Sequence, residues 1–432
     1  MKRIFALGAA AFALAAAAFG QDGRRITAPP DTRTQLDLQH YYLPRDLQVA
    51  LSALELAYPE FLRLESLGRS GTGAELWVMT VARKDGLEPA KRPAALLVAG
   101  LGLDDLAATE QALYSILDLV QNHGRDDAVA RILRDCTVYV APCLNPDLRE
   151  RVLAAVERGE SPASAGEESV LLERNFPVRW DPLTTERAGP YPLSRPEARA
   201  LAEFLILRPN IALVQRYGSA SSRTSADFGW PEADVRTHRR VAADGLMDSV
   251  DSLARREGAL LSFAYEQTGA FAFELPSLAR VGAEVLPRVD EILPLARTAA
   301  SSTLRLLASL PALELVAAPP TALDPQTWQL DLELRNTGRL PSASELGVAR
   351  FAVGAPQLEL SGAQLAGAAL VRASDSVATP LSVRGSGAEL PQIEGGAVLR
   401  LRLFVAGTSG ATAVLNVRTP RAGVARVEVV LP

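Results

Sequence analysis

Acid–base, nucleophilic and metal chemistry all need imidazole, thiol or carboxylate groups at short spacing. The 432-residue chain has three histidines, His40, His123 and His238, and two cysteines, Cys136 and Cys143. A zinc site takes three or four His, Cys or carboxylate ligands, so most ways of holding a transition metal are excluded at the outset. One local pairing stands out: His123-Gly-Arg-Asp126 has His-x-x-Asp spacing, with His238 downstream. The helix expected before it, from about Ala107 to Gln121, rises ~1.5 Å per residue and carries His123 roughly 22 Å from the helix start. Ligands of open α/β sheets gather at the strand C-terminal ends, so His123 reads as a solvated helix-terminal residue. Asp104, Asp105 and Glu110 offer oxygen ligands of the kind a hard cation takes, with a plain acidic loop as the simpler reading. Gly-x-Ser-x-Gly, a phosphate loop and a Cys nucleophile with a matched His are all missing from the sequence. Cys136 and Cys143 lie in one extended-looking run, which at ~3.3 Å per residue separates their Cα atoms by roughly 23 Å, too far for a disulfide. Two buried free thiols are expected.

Composition sets the frame for these residues. The chain carries 45 Lys+Arg against 50 Asp+Glu, a net charge of -5, with 22 % charged and 48 % hydrophobic residues. That is enough for a large core and more than one domain, and it is not the composition of a disordered chain. The acidic balance argues against nucleic acid as a partner. Met1-Lys-Arg3, the apolar run Ile4 to Phe19 and small residues at Ala18 and Gly20 read as a secretory signal peptide over residues 1–20. An uncleaved anchor is the alternative, because such a run almost spans a bilayer. Cleavage leaves 43 Lys+Arg against 50 Asp+Glu, a balance of -7, and a secreted or periplasmic protein with no membrane attachment.

Periodicity predicts the elements that position the candidate residues. Leu47, Ala50, Leu51 and Leu54 recur at helical spacing between Arg45 and Glu55. Glu75 to Ala82, Ala94 to Ala99 and Thr137 to Ala141 read as strands, the last two apolar on both faces. A polar loop around Arg149 to Glu168 precedes a helix from about Pro196 to Leu207, strands Ile211 to Arg216 and Ala270 to Leu275, and a helix from about Pro287 to Ser309. Apolar strands alternating with helices predict an α/β fold with a mixed, mostly parallel sheet sandwiched by helices. After Pro311 the pattern becomes short alternating runs, Trp328 to Arg335, Ala397 to Val405, Thr412 to Val417 and Val424 to Leu431, which predict a small all-β sandwich. The expected domains are thus 21–311 and 323–432.

Taken in order, several segments resemble the zinc carboxypeptidases related to carboxypeptidase A, in the bacterial form with a C-terminal β domain. Tyr58-Pro59 followed by Ser66 to Gly73 and Glu75-Leu-Trp-Val78 is similar to the family's opening segment. Ala94 to Ala99 resembles its first core strand, and Val138 to Asp147 resembles the next strand with its Asn-Pro-Asp turn. Glu173-Arg-Asn-Phe176 resembles an Asn-Arg-Asn-Phe segment, Gly189 to Ser194 with Pro196-Glu197 resembles the approach to the following helix, and Phe273-Glu-Leu275 resembles the segment with the catalytic glutamate. Asn336 to Pro341 is similar to a turn of the β domain. The resemblance implies the carboxypeptidase fold. It also implies a zinc ion held by a His-x-x-Glu pair and a second His, with a glutamate as general base.

Mapped onto this chain, the His-x-x-Glu positions fall on Gly102 and Asp105, and the second His falls on Gly218. No register creates a His-x-x-Glu anywhere in the chain. One carboxylate does not hold zinc, so the expected cofactor is none. Glu274 matches the general base but lacks a metal-bound water to act on, and a carboxylate paired with a nearby Arg is its plainer reading. Arg174 matches the arginine that holds a substrate's terminal carboxylate, although Glu173 beside it opposes an anion. The leading expectation is an exported, non-catalytic carboxypeptidase-like protein that binds peptide or cell-wall fragments. An active metallocarboxypeptidase and a structural or adhesive envelope protein acting through its β domain are the alternatives.

Overall fold

The computed structural model describes residues 31–103, 106–161, 170–181, 187–218, 230–244, 259–276, 287–350, 352–371 and 378–432. The expected signal peptide at 1–20, Asp104 and Asp105 lie outside the described residues.

The N-terminal half is built on a six-stranded mixed sheet, ordered β1-β2-β4-β3-β5-β6. Its strands are β1 (Leu62–Arg69), β2 (Glu75–Val81), β3 (Ala94–Val98), β4 (Thr137–Ala141), β5 (Ile211–Gly218) and β6 (Phe271–Pro276). The β3–β4, β3–β5 and β5–β6 pairs are parallel, and β1 and β2 form an antiparallel edge. Every residue of β3, β4 and β5 is buried, as expected of strands covered on both faces. The C-terminal ends of β3, β5 and β6 open on one edge, on either side of the reversal in strand order where α/β sheets form ligand crevices. β1 went unread in the sequence because its burial does not alternate strictly. The turn between β1 and β2 begins at Ser70, whose N–H donates to Ala74 O at 2.8 Å.

The helices are α1 (Pro44–Ala57), α2 (Ala108–Gln121), α3 (Asp127–Asp135), α4 (Pro146–Glu157), α5 (Pro196–Ile206), α6 (Glu232–Asp244), α7 (Leu260–Thr268) and α8 (Val289–Leu307). The segment from Arg149, expected as a polar loop, begins inside α4. Pro146 opens that helix, and Asn145 Oδ1 accepts Leu148 N–H at 3.2 Å. Its polarity misled because Arg149 is buried, paired with Glu110 and donating to Tyr42 O and Leu106 O at 2.7 Å each. A charge silenced by a partner from another helix looks like a surface charge in sequence. Asp147 fixes the β1–β2 turn by accepting from Ser70 Oγ at 2.5 Å and from Thr72 N–H at 3.0 Å.

From Leu313 onward the chain forms two antiparallel sheets of five and six strands around a second apolar core. Strand Thr327–Asn336 alternates as its pattern predicts, burying Trp328, Leu330, Leu332 and Leu334.

This half grips the first through short, specific contacts. Helix α9 (Glu345–Ala349) has its Glu345 and Leu346 N–H groups bound to the Asp234 carboxylate of α6, at 2.9 and 3.1 Å. Ser344 Oγ donates to Gly269 O at 2.7 Å. Gly269 ends α7 with φ 73°, and a Cβ there would stand 2.6 Å from Gly347 Cα, so only glycine fits. Arg421, fully buried, reaches Pro209 O at 3.3 Å and Thr268 O.

Candidate functional site

Strand alternation sorts the end of β5 into two faces. Gln215 and Tyr217 turn toward α2 and α8: Gln215 Nε2 donates to Thr303 Oγ1 at 2.8 Å, and Tyr217 O–H to Ser115 Oγ at 2.8 Å. Arg216 therefore faces the other way. It sits in register with Glu274 of β6, and its Nη1 lies 3.3 Å from Glu274 Oε1. The same guanidinium pairs through Nη2 with Glu173, carried on the 3-10 turn Leu172–Arg174. The side chains are 6 % (Arg216), 8 % (Glu274) and 18 % (Glu173) exposed, so this is a charged cluster largely withdrawn from water.

Gly218 closes β5. A Cβ added to it would stand 2.9 Å from Arg216 Nε and Nη2 and 3.0 Å from Cζ, so the space a side chain would use is filled by the guanidinium. Gly102, half-buried, follows β3. Arg174 is half-buried beside Asn175, whose side-chain amide organises the next loop. Asn175 Nδ2 donates to Ala188 O at 2.6 Å, Tyr191 O at 3.2 Å and Ser194 Oγ at 2.9 Å, and its Oδ1 accepts Arg195 N–H at 3.0 Å. Arg179, Arg187 and Leu193 in this loop have φ of 47°, 60° and 59°, the described non-glycine residues with left-handed backbone. Such conformations cost about 1–3 kcal/mol each and persist where the surroundings over-determine them.

The histidines stand apart from this cluster. His40 is exposed beside Asp37. His123 follows α2, where its Nδ1 lies 2.7 Å from Val120 O and its ring packs on Phe61, so it is half-buried, not solvated as expected. His238 is fully buried in α6 among Trp230, Tyr265, Phe271 and Phe273. Its Nδ1–H donates to Asp234 O at 2.9 Å and its Nε2 accepts Ala272 N–H at 3.4 Å, the neutral tautomer. Burial pushes its pKa down to about 4. Glu110 is engaged by Arg149 and by Tyr42 N–H and so is committed to the core. Both cysteines are buried and neither is in a disulfide, and burial pushes the Cys136 thiol up to about 12.

The described donor set does not fit zinc. Among the described residues no three His, Cys, Asp or Glu side chains gather where they could hold a metal. At the end of β5 the central group is a guanidinium, which has donors and no lone pair to give.

The sequence pattern of zinc carboxypeptidases matches residues 47–274. The chain belongs to the zinc carboxypeptidase family. A second pattern, of a domain of unknown function, matches residues 312–430. Carboxypeptidase D from Mus musculus is 26 % identical over 217 residues, covering 50 % of this chain and 15 % of that protein. Carboxypeptidase M from Mus musculus is 24 % identical over 183 residues, covering 42 % of this chain and 39 % of that protein. The chain thus spans well under half of these relatives. In fold, it is similar to thrombin activatable fibrinolysis inhibitor, with a TM-score of 0.52, 16 % identity, and coverage of 64 % of this chain and 76 % of that one. It is also similar to carboxypeptidase A from Helicoverpa armigera, with a TM-score of 0.51, 18 % identity, and coverage of 68 % and 79 %. Within this zinc carboxypeptidase fold, Arg216 is the site residue that spacing alone missed. The available signal was a charge inside a buried strand, which has to find partners.

Proposed function

We propose that this chain is an exported, non-catalytic member of the carboxypeptidase family whose cleft binds the carboxylate ends of peptides or cell-wall fragments. The observation that carries the reading is the engagement of Glu274, at the family's general-base position, by Arg216. A general base has to reach the proton it takes, and this carboxylate is held against a guanidinium instead. Arg174 is the anchor for the ligand carboxylate. Glu173 beside it no longer opposes an anion as it does in sequence, since its charge is offset by Arg216. The preorganised loop around Asn175 supports retained binding. The positive start and apolar run of residues 1–20, read as a leader, support export, and a purified mature chain beginning at Gln21 is the test of that part of the proposal.

The test is binding and hydrolysis side by side. A peptide with a free C-terminal carboxylate should bind more tightly than its amide, Arg174→Gln should erase the difference, and no C-terminal amino acid should be released. Stoichiometric zinc together with such release would overturn the reading in favour of an active carboxypeptidase. A second reading, attachment through the C-terminal sheets, is favoured by a groove of about 340 Å³ lined by Val316, Ala318, Asp331, Glu333, Arg400 and Arg402. It predicts that Arg400→Glu with Arg402→Glu abolishes binding to envelope material while Arg174→Gln does not.

A further inference from the structure

Two carboxylates from distant parts of the chain, Glu173 on a turn and Glu274 on a strand, are brought into one centre of low exposure. Side by side and unneutralised they would repel, and burying either charge alone is costly. A fold that keeps both ionised has to place a cation between them. In this chain that cation is covalent: Arg216 reaches from β5 and pairs with both. The second observation is steric. A Cβ on residue 218 would stand 2.9 Å from the guanidinium, so Arg216 crowds the end of β5 as well as placing a cation there.

We infer that Arg216 is a built-in counter-ion that closes this centre to metal. While it is present its charge and bulk exclude a divalent ion; once a metal ligand replaces it, Glu173 and Glu274 supply two carboxylates toward a cation site. The inference rests on the non-catalytic reading of the centre and gives it a cause, namely an occupied site in addition to missing ligands. Arg216→His is the informative substitution, because it exchanges the cation for an imidazole beside two carboxylates, a three-ligand set of the type zinc accepts.

The experiment uses the full mature chain and Zn²⁺ as the probe, followed by calorimetry, native mass and thermal unfolding. The wild type is expected to take up no Zn²⁺. Arg216→His is expected to take up one ion per chain with a raised unfolding midpoint, and to lose both when combined with Glu274→Gln. Arg216→Lys, which keeps the charge, is expected to fold and to stay free of metal. If Arg216→His folds only when Zn²⁺ is added, the inference is upheld, because metal has replaced the missing charge. It is overturned if the folded Arg216→His chain takes up no ion, if Zn²⁺ fails to rescue an unfolded one while Arg216→Lys folds, or if the wild type binds Zn²⁺ in a Glu274-dependent way. None of these outcomes depends on hydrolysis, so release of amino acids by the wild type would sink the non-catalytic reading separately.

Discussion

Arg216 and Glu274 stand opposite each other on the parallel strands β5 and β6, with the guanidinium 3.3 Å from the carboxylate, and Glu173 closes the cluster from a turn. The two sides of this arrangement are not equivalent. Removing Glu274 leaves the Arg216–Glu173 pair in place, whereas removing Arg216 breaks the pairs to Glu173 and Glu274 together. Breaking a buried pair so that a charge is left uncompensated costs about 3–5 kcal/mol, while losing one hydrogen-bonded partner of several costs about 1–2 kcal/mol. Urea unfolding should therefore show Arg216→Met to be more destabilising than Glu274→Gln by at least about 1 kcal/mol. Equal losses would mean that the cluster is solvated and that the guanidinium is not its centre.

The same packing governs any attempt to rebuild a metal site on the family's pattern. Gly218→His brings a Cβ within 2.9 Å of a guanidinium that two carboxylates hold in place, so Arg216 cannot swing aside cheaply. Overpacking of this kind costs about 1–3 kcal/mol. The triple variant Gly102→His, Asp105→Glu, Gly218→His is expected to remain free of zinc, and adding Arg216→Ala is expected to allow uptake. Zinc bound by the triple variant with Arg216 intact would refute this account.

How much of this was legible beforehand depends on how far each signal reaches along the chain. The apolar strands Ala94–Val98 and Thr137–Ala141 and the alternation of Thr327–Asn336 are local patterns, and they were readable. Helix Pro146–Glu157 was missed because the neutralising partner of Arg149 is Glu110, from a different helix. Arg216 was passed over for a related reason: Glu173 and Glu274, with which it pairs, lie far from it in sequence, and strand register brings Glu274 alongside. The glycine at 218 was visible, while the side chain that fills its space was not. Pairwise electrostatics between distant segments is the layer of information that a single sequence hides.

The contact between the two halves predicts that they unfold together. Arg421 is buried completely, its pKa is pushed down to about 9 by that burial, and it serves Pro209 O and Thr268 O across the junction. Asp234 holds the first amides of α9 on the same side. Thermal unfolding followed by tryptophan emission and by far-ultraviolet dichroism should give one shared transition. Arg421→Met leaves those carbonyls without their donor and should cost about 2–4 kcal/mol. Two separate transitions in the wild type would show instead that the junction contributes little to either core.

His238 makes the stability of this region depend on pH in a direction that can be worked out. Its pKa falls from 6.5 to about 4 because burial disfavours the charged ring, and the Asp234 carbonyl only partly offsets this. Among the described residues Trp230, Phe271 and Phe273 stand around it, and the nearby Asp234 carboxylate is engaged by Tyr265 O–H and by the Glu345 and Leu346 N–H groups. Between pH 6.5 and 4 the unfolded chain therefore binds a proton at this histidine that the folded chain does not. Unfolding is favoured as that proton is taken up, so the contribution is present in full above the unfolded pKa and is lost as the pH drops toward 4. A shift of this size is worth roughly 3 kcal/mol at the low end of the window. His238→Gln removes the titrating group, and its unfolding free energy should lie below the wild type at pH 7 and converge with it as the pH approaches 4. Parallel pH curves for the two proteins would mean that His238 binds its proton equally in the folded and unfolded chains, and that the buried neutral ring is the wrong description.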